Sequence, residues 1–172
     1  MSDRRFQLAQ INVGRLLAPI DDARIAGFVD QLAPINQLAE SSPGYIWRLQ
    51  SEAGNATDIL LTDDELFIIN LSVWESIEAL GDFAYATAHV DVLRQRRSWF
   101  ERHVEAHFAL WWIEAGTLPS PEDALARVER LRRIGPTPEA FTFRTPFGPP
   151  GSDAPPPSEI DAEFCWPSAV PA

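Results

Sequence analysis

Cysteine is almost missing from this chain. The single one, Cys165, cannot close an internal disulfide and excludes a cysteine-cluster metal site, which suits a reducing compartment. Long apolar runs are missing as well: nothing approaches the roughly 18 consecutive apolar residues of a membrane span. Met1-Ser2-Asp3-Arg4-Arg5 leads into an alternating segment without the apolar stretch of a secretory leader. Positive charge is scarce. With a net charge of −11, the chain lacks the clustered cations that hold phosphate backbones or anionic membranes, and the short group Arg94, Arg96 and Arg97 does not reverse this. There is no glycine-rich phosphate loop, no Gly-x-Ser-x-Gly elbow and no Cys/His pair placed for nucleophilic catalysis. These absences lead to the expectation of a cytoplasmic protein with neither a nucleic acid nor a membrane as partner.

Ordinary globular composition over 172 residues implies one domain plus a tail. The domain is expected over 1–147. Residues 148–172 hold Pro149-Pro150-Gly151-Ser152 and Pro155-Pro156-Pro157, so they read as a disordered or wrapping tail that Phe164 and Trp166 would anchor.

Within the domain, Phe6–Val13 alternates as a strand, with Leu8, Gln10 and Asn12 on one face and Ala9, Ile11 and Val13 on the other. Ile25, Phe28, Val29, Leu32, Ile35 and Leu38 recur at helical spacing, with a kink or break expected at Pro34 and an end at Ser42-Pro43-Gly44. Tyr45–Gln50 is a second strand. Ile59–Leu61 is expected to begin a third, which resumes over Leu66–Trp74. Its faces differ: Phe67, Ile69, Leu71 and Val73 are uniformly apolar, whereas Ile68, Asn70, Ser72 and Trp74 are mixed. The apolar set is expected to face the helices. A second helix opens at Glu75, with a break expected at Gly81 and resumption to Phe100. Ala106–Glu114 is apolar on both sides, as in a buried strand. A last helix lies between the Ser120-Pro121 start signal and the Gly135-Pro136 stop; Phe141–Phe147 is a further strand or an extended arm. The fold class is thus α+β, with ferredoxin-like βαββαβ order, an antiparallel sheet and an extra C-terminal helix.

The runs Ile35-Asn36, Leu38-Ala39-Glu40, Ser42-Pro43-Gly44-Tyr45 and Trp47-Arg48-Leu49, with Ser72-Val73-Trp74-Glu75-Ser76-Ile77-Glu78-Ala79-Leu80 and His89, resemble an uncharacterised bacterial domain-of-unknown-function family. That family lies in the dimeric α/β-barrel superfamily, alongside the antibiotic biosynthesis monooxygenases. The resemblance spans about residues 5–147. It implies a homodimer in which two sheets meet, each with helices on one face and a small cavity on the other. Gln10, Asn12, Arg48, Ser72 and Tyr85 would then line a pocket for a small apolar or aromatic molecule.

Cofactor-free quinone-forming monooxygenases of the superfamily carry an Asn and a Trp four positions apart on the corresponding strand, followed by a Tyr and an Arg. Asn70 and Trp74 match that spacing, and Arg94 stands for the Arg. The Tyr is unmatched: Leu80 stands near its place, and Tyr85 lies five residues later. On this resemblance Asn70 hydrogen-bonds a developing oxyanion, Arg94 holds negative charge and Trp74 shapes a ring pocket, with no cofactor. The structural alternative makes Trp74 a core or interface aromatic and Asn70 a satisfied strand residue. His89 is a candidate general base or, in a haem-binding alternative, an axial ligand; a helix-cap or dimer-edge role competes. His103 and His107 are read as structural, since the expected strand spoils their four-residue metal spacing. A non-catalytic dimeric module whose tail docks a partner is the remaining alternative.

Overall fold

A computed structural model describes residues 5–86, 91, 94–102 and 105–153. The elements are β1 (Phe6–Arg15), α1 (Ala26–Ser41), β2 (Tyr45–Arg48), β3 (Phe67–Trp74), α2 (Ile77–Ala86), a 3-10 turn (Arg96–Ser98), β4 (Phe108–Glu114) and α3 (Pro121–Ile134). The strands form one open sheet in the order β2-β3-β1-β4, and every adjacent pair is antiparallel. The fold class is α+β.

The alternation of β1 and β3 carries into their register. Gln10 lies opposite Ser72 and Asn12 opposite Asn70, so the polar residues of the two strands share one face. On β4, Leu110 and Phe108 face the same way, opposite Gln10 and Asn12. The other face is apolar throughout: Ala9, Ile11, Val13, Ile69, Leu71, Ala109 and Trp111 are buried together.

The apolar row faces a helix as expected, but helices cover the mixed face as well. The apolar face packs against α3, through Ala124, Val128 and Leu131, with Leu49 and Leu61 beside them. Helices α1 and α2 instead cover the polar-bearing face, where Ala39, Ile77, Leu80 and Phe83 meet Leu8, Trp74 and Leu110. The physical reason is α3. Its apolar stripe seals the Phe67, Ile69, Leu71 side, leaving α1 and α2 the mixed face, where polar strand residues need space beneath the helices. The dimeric barrel implied by the resemblance brings an uncovered sheet face against a second copy; here residues of the same chain cover both faces.

Local signals explain most boundaries. The Ser120 hydroxyl accepts the Asp123 backbone N–H at 3.1 Å, Pro121 opens the helix, and Gly135 donates to the Leu131 carbonyl. At the end of α1 the Ser42 hydroxyl donates to the Leu38 carbonyl at 2.7 Å. Gly44 then turns with φ +81°, and a Cβ there would lie 2.5 Å from Ala79 Cβ, so glycine alone lets β2 start against α2.

Three other expectations change. Helix α1 runs unbroken through Pro34, which is exposed, so the carbonyl that loses its partner lies on the water-facing side. Helix α2 likewise continues through Gly81, which is buried, despite the low helix propensity of glycine. Ile59–Leu61 is not strand; it belongs to the long 49–66 connection. Phe141–Phe147 is an arm rather than a full strand: Phe141 exchanges two backbone hydrogen bonds with Leu110 at the outer edge of β4, and the Trp112 indole donates to the Phe147 carbonyl at 2.8 Å. Gly148–Asp153 follow it within the described residues, whereas Phe164, Cys165 and Trp166 lie outside them. No helix among the described residues is long and apolar enough to cross a membrane.

Candidate functional site

Between the mixed sheet face and helices α1 and α2 lies a cavity of about 370 Å³. Its position follows from side-chain size. Gln10, Asn12, Asn70 and Ser72 point up from the middle of the sheet, and their short polar side chains leave space that a row of Leu or Phe would fill. Aromatic residues form the rim: Phe28 from α1, Tyr45 from β2, Trp74 from β3, Phe83 and Tyr85 from α2, and Phe143 from the arm.

The floor is a connected hydrogen-bond set. The Gln10 amide donates to Asn70 Oδ1 at 2.6 Å and to Ser72 Oγ at 2.9 Å. The same hydroxyl accepts the Trp74 indole N–H at 2.9 Å. Gln10, Ser72 and Trp74 are buried, whereas Asn70 is exposed, open to the cavity it lines. Satisfying each buried donor in this way removes the desolvation cost that polar groups under helices would otherwise carry.

Trp74 is fixed on two further sides. It stacks on Phe83 with centroids 5.1 Å apart, and Tyr45 meets it edge-on at 5.5 Å. Burial pushes the Tyr45 phenol above its ordinary pKa, with Arg48 opposing and Glu40 adding to the shift. The opposite wall holds a second stack, Phe108 on Phe143, onto which Tyr85 packs edge-on.

Two buried arginines line the cavity, and their surroundings differ. Arg48 of β2 is held by Glu40, with Nε and Nη2 both 2.8 Å from Oε1, and donates to the Gly54 carbonyl at 2.9 Å. Its charge is met by a carboxylate. Arg96, on the 3-10 turn, reaches the Val13 carbonyl at 3.4 Å and lies 4.8 Å over the Phe100 ring. Burial alone pulls its pKa down to about 9. Gly14 makes this possible, because a Cβ there would sit 2.9 Å from Arg96 Nη2 and 2.8 Å from Phe100 Cδ1.

Gln10, Asn12, Arg48, Asn70, Ser72, Trp74 and Tyr85, all expected at a pocket, line this one. Arg94 does not: it is exposed, beside Asp91 at 3.4 Å, and absent from the lining. Two residues along the chain the backbone has turned, and Arg96 takes the inward position. His89 and His103 lie outside the described residues. His107 is buried on the lining, with its Nδ1 3.3 Å from the Glu105 carbonyl oxygen. Arg96 and His107 were not expected at the pocket: the helix expected to run to Phe100 gives way to a 3-10 turn at Arg96–Ser98, and the expected strand Ala106–Glu114 is apolar on both sides, so neither of its faces is marked.

The family model described as Domain of unknown function (DUF3291) matches residues 7–156. No curated protein matches. Among solved structures, the crystal structure of NE2512, a protein of unknown function from Nitrosomonas europaea, is similar at 10% identity with a TM-score of 0.42, covering 69% of this chain and 97% of that one.

Proposed function

The chain belongs to the DUF3291 family, and on that premise we propose that it binds a small aromatic molecule in the cavity between the sheet and helices α1 and α2. The observation that carries this reading is the cavity itself: about 370 Å³, walled by aromatic rings and floored by hydrogen-bonded amides and a hydroxyl. Apolar walls with a few convergent polar groups suit a ring system bearing one or two polar substituents. Asn70, the open end of the floor, is the group placed to bond such a substituent; Trp74 and Phe83 supply stacking area.

The β2-β3-β1-β4 order, with α1 between β1 and β2 and α2 between β3 and β4, supports reading the fold as ferredoxin-like. Cofactor-free oxygenation draws support from Asn70 and Trp74 at one cavity. It draws none from Arg94, which stands outside the lining, and the Trp74 N–H is engaged by Ser72. Ligand binding is therefore the reading that the geometry supports best, with oxygenation a further step on the same site.

The test is a titration of the purified protein with 2-naphthamide, a neutral probe, followed by tryptophan fluorescence and repeated on Ala84→Phe, which places a ring inside the lining. Saturable binding that the substitution weakens roughly tenfold or more supports the reading. Equal binding by both proteins, or none by either, rejects it. A Soret band in the purified protein would point to haem instead.

A further inference from the structure

We propose that the ligand carries an amide edge, an N–H beside a C=O as in an aromatic lactam, held between Asn12 of β1 and Asn70 of β3; this rests on the cavity being the ligand site. The charged groups of the lining leave the role to neutral ones. Among the described residues no carboxylate lines the cavity, so a cationic ligand meets no counter-charge there. Arg48 bonds Glu40, Arg96 bonds the Val13 carbonyl and packs over the Phe100 ring, His107 meets the Glu105 carbonyl, and Arg144 is exposed. The carboxamides of Asn12 and Asn70, by contrast, have hydrogen-bonding capacity left over.

Asn12 and Asn70 stand opposite each other in the β1–β3 register, and both line the cavity. Opposed residues of an antiparallel pair hold their Cβ atoms about 4.5–5.5 Å apart, a span across which two side-chain amides can close on one small group. Their remaining capacities are complementary. Asn70 Oδ1 accepts from the Gln10 amide at 2.6 Å, which leaves the Asn70 nitrogen to donate. The Asn12 side chain is half-buried and makes no hydrogen bond among the described residues, so its oxygen is available to accept. A ring filling the cavity takes water from both side chains, and a ligand N–H set beside a carbonyl returns one bond to each. A carbonyl without the N–H serves Asn70 and leaves the Asn12 oxygen unmet.

The test is calorimetric titration with two neutral bicyclic probes of nearly equal shape, 2-quinolone and coumarin. They share a ring carbonyl and differ in its neighbour, an N–H in the first and an oxygen in the second. Wild type is expected to bind 2-quinolone roughly fivefold or more tighter than coumarin, the scale of one net neutral hydrogen bond. Asn12→Leu is expected to remove that preference by bringing 2-quinolone down to the affinity of coumarin. Asn70→Ala is expected to weaken both probes, because the carbonyl common to them loses its donor. Equal affinity of wild type for the two probes overturns the proposal. A preference that survives Asn12→Leu does so too, as does wild-type binding of both probes by Asn70→Ala. Failure of both probes to bind wild type removes the cavity reading itself, a result distinct from binding without preference. Should Asn12→Leu fail to fold, Asn12→Ala takes its place with the same expected loss of preference.

Discussion

Gln10 and Ser72 face each other across β1 and β3, and the Gln10 amide donates to the Ser72 hydroxyl at 2.9 Å. That hydroxyl also takes the Trp74 indole N–H at 2.9 Å. One oxygen thus organises the cavity floor and the aromatic wall above it.

Ser72→Ala is expected to leave two buried donors short of an acceptor, at a cost of roughly 1–3 kcal/mol. Urea unfolding measures this. A change within a few tenths of a kcal/mol of wild type would show that the hydroxyl does not organise the floor.

Gly44→Ala is expected to destabilise by roughly 1–3 kcal/mol from the left-handed backbone alone, with the 2.5 Å approach to Ala79 Cβ adding to it. Because Gly44 precedes Tyr45, the near-ultraviolet circular dichroism of the Tyr45–Trp74 pair should change as well. Wild-type stability in this variant would contradict the assigned turn.

How much of this was legible in the sequence depends on the physics involved. The period of two in β1 and β3 sorted Gln10, Asn12, Asn70 and Ser72 onto one face, because side chains two apart on a strand share a side whatever covers them. Helix α3 was legible from Ser120, Pro121 and Gly135, whose roles are local. Which helix covers which face was not. An apolar row such as Phe67, Ile69 and Leu71 announces burial without naming its cover, and α3 arrives from about fifty residues downstream. The inward turn of Arg96 in place of Arg94 depends on a 3-10 turn without its own periodic signal.

Leu131→Ala, on the α3 side of the sheet, is expected to cost about 2–5 kcal/mol, as for other buried leucines. The cavity lies on the opposite face, so affinity for 2-naphthamide should remain at the wild-type value under native conditions. A loss of binding without unfolding would show that the two faces are coupled.

Acid sensitivity should come from the surface. The Arg24 side chain bonds Asp22 and holds its carboxyl at about 2, below the ordinary 3.8. A bond from Arg15 lowers Asp64 in the same direction. For a carboxylate whose folded pKa lies below its unfolded value, the stabilisation is present above the unfolded pKa and is lost as pH falls through the folded one. The thermal midpoint should therefore fall between pH 3.8 and about 2, and the Asp22→Asn, Asp64→Asn double variant should fall less. Both pairs meet solvent, so salt should reduce the difference. Identical pH profiles for the two proteins would contradict this assignment.

The most direct measurement is a crystal structure of the protein grown with 2-naphthamide. The account predicts the naphthalene ring between Trp74 and the Phe108–Phe143 wall, with its amide at Asn70. A ring seated outside the cavity, on the α3 side or on the outer surface, would contradict it.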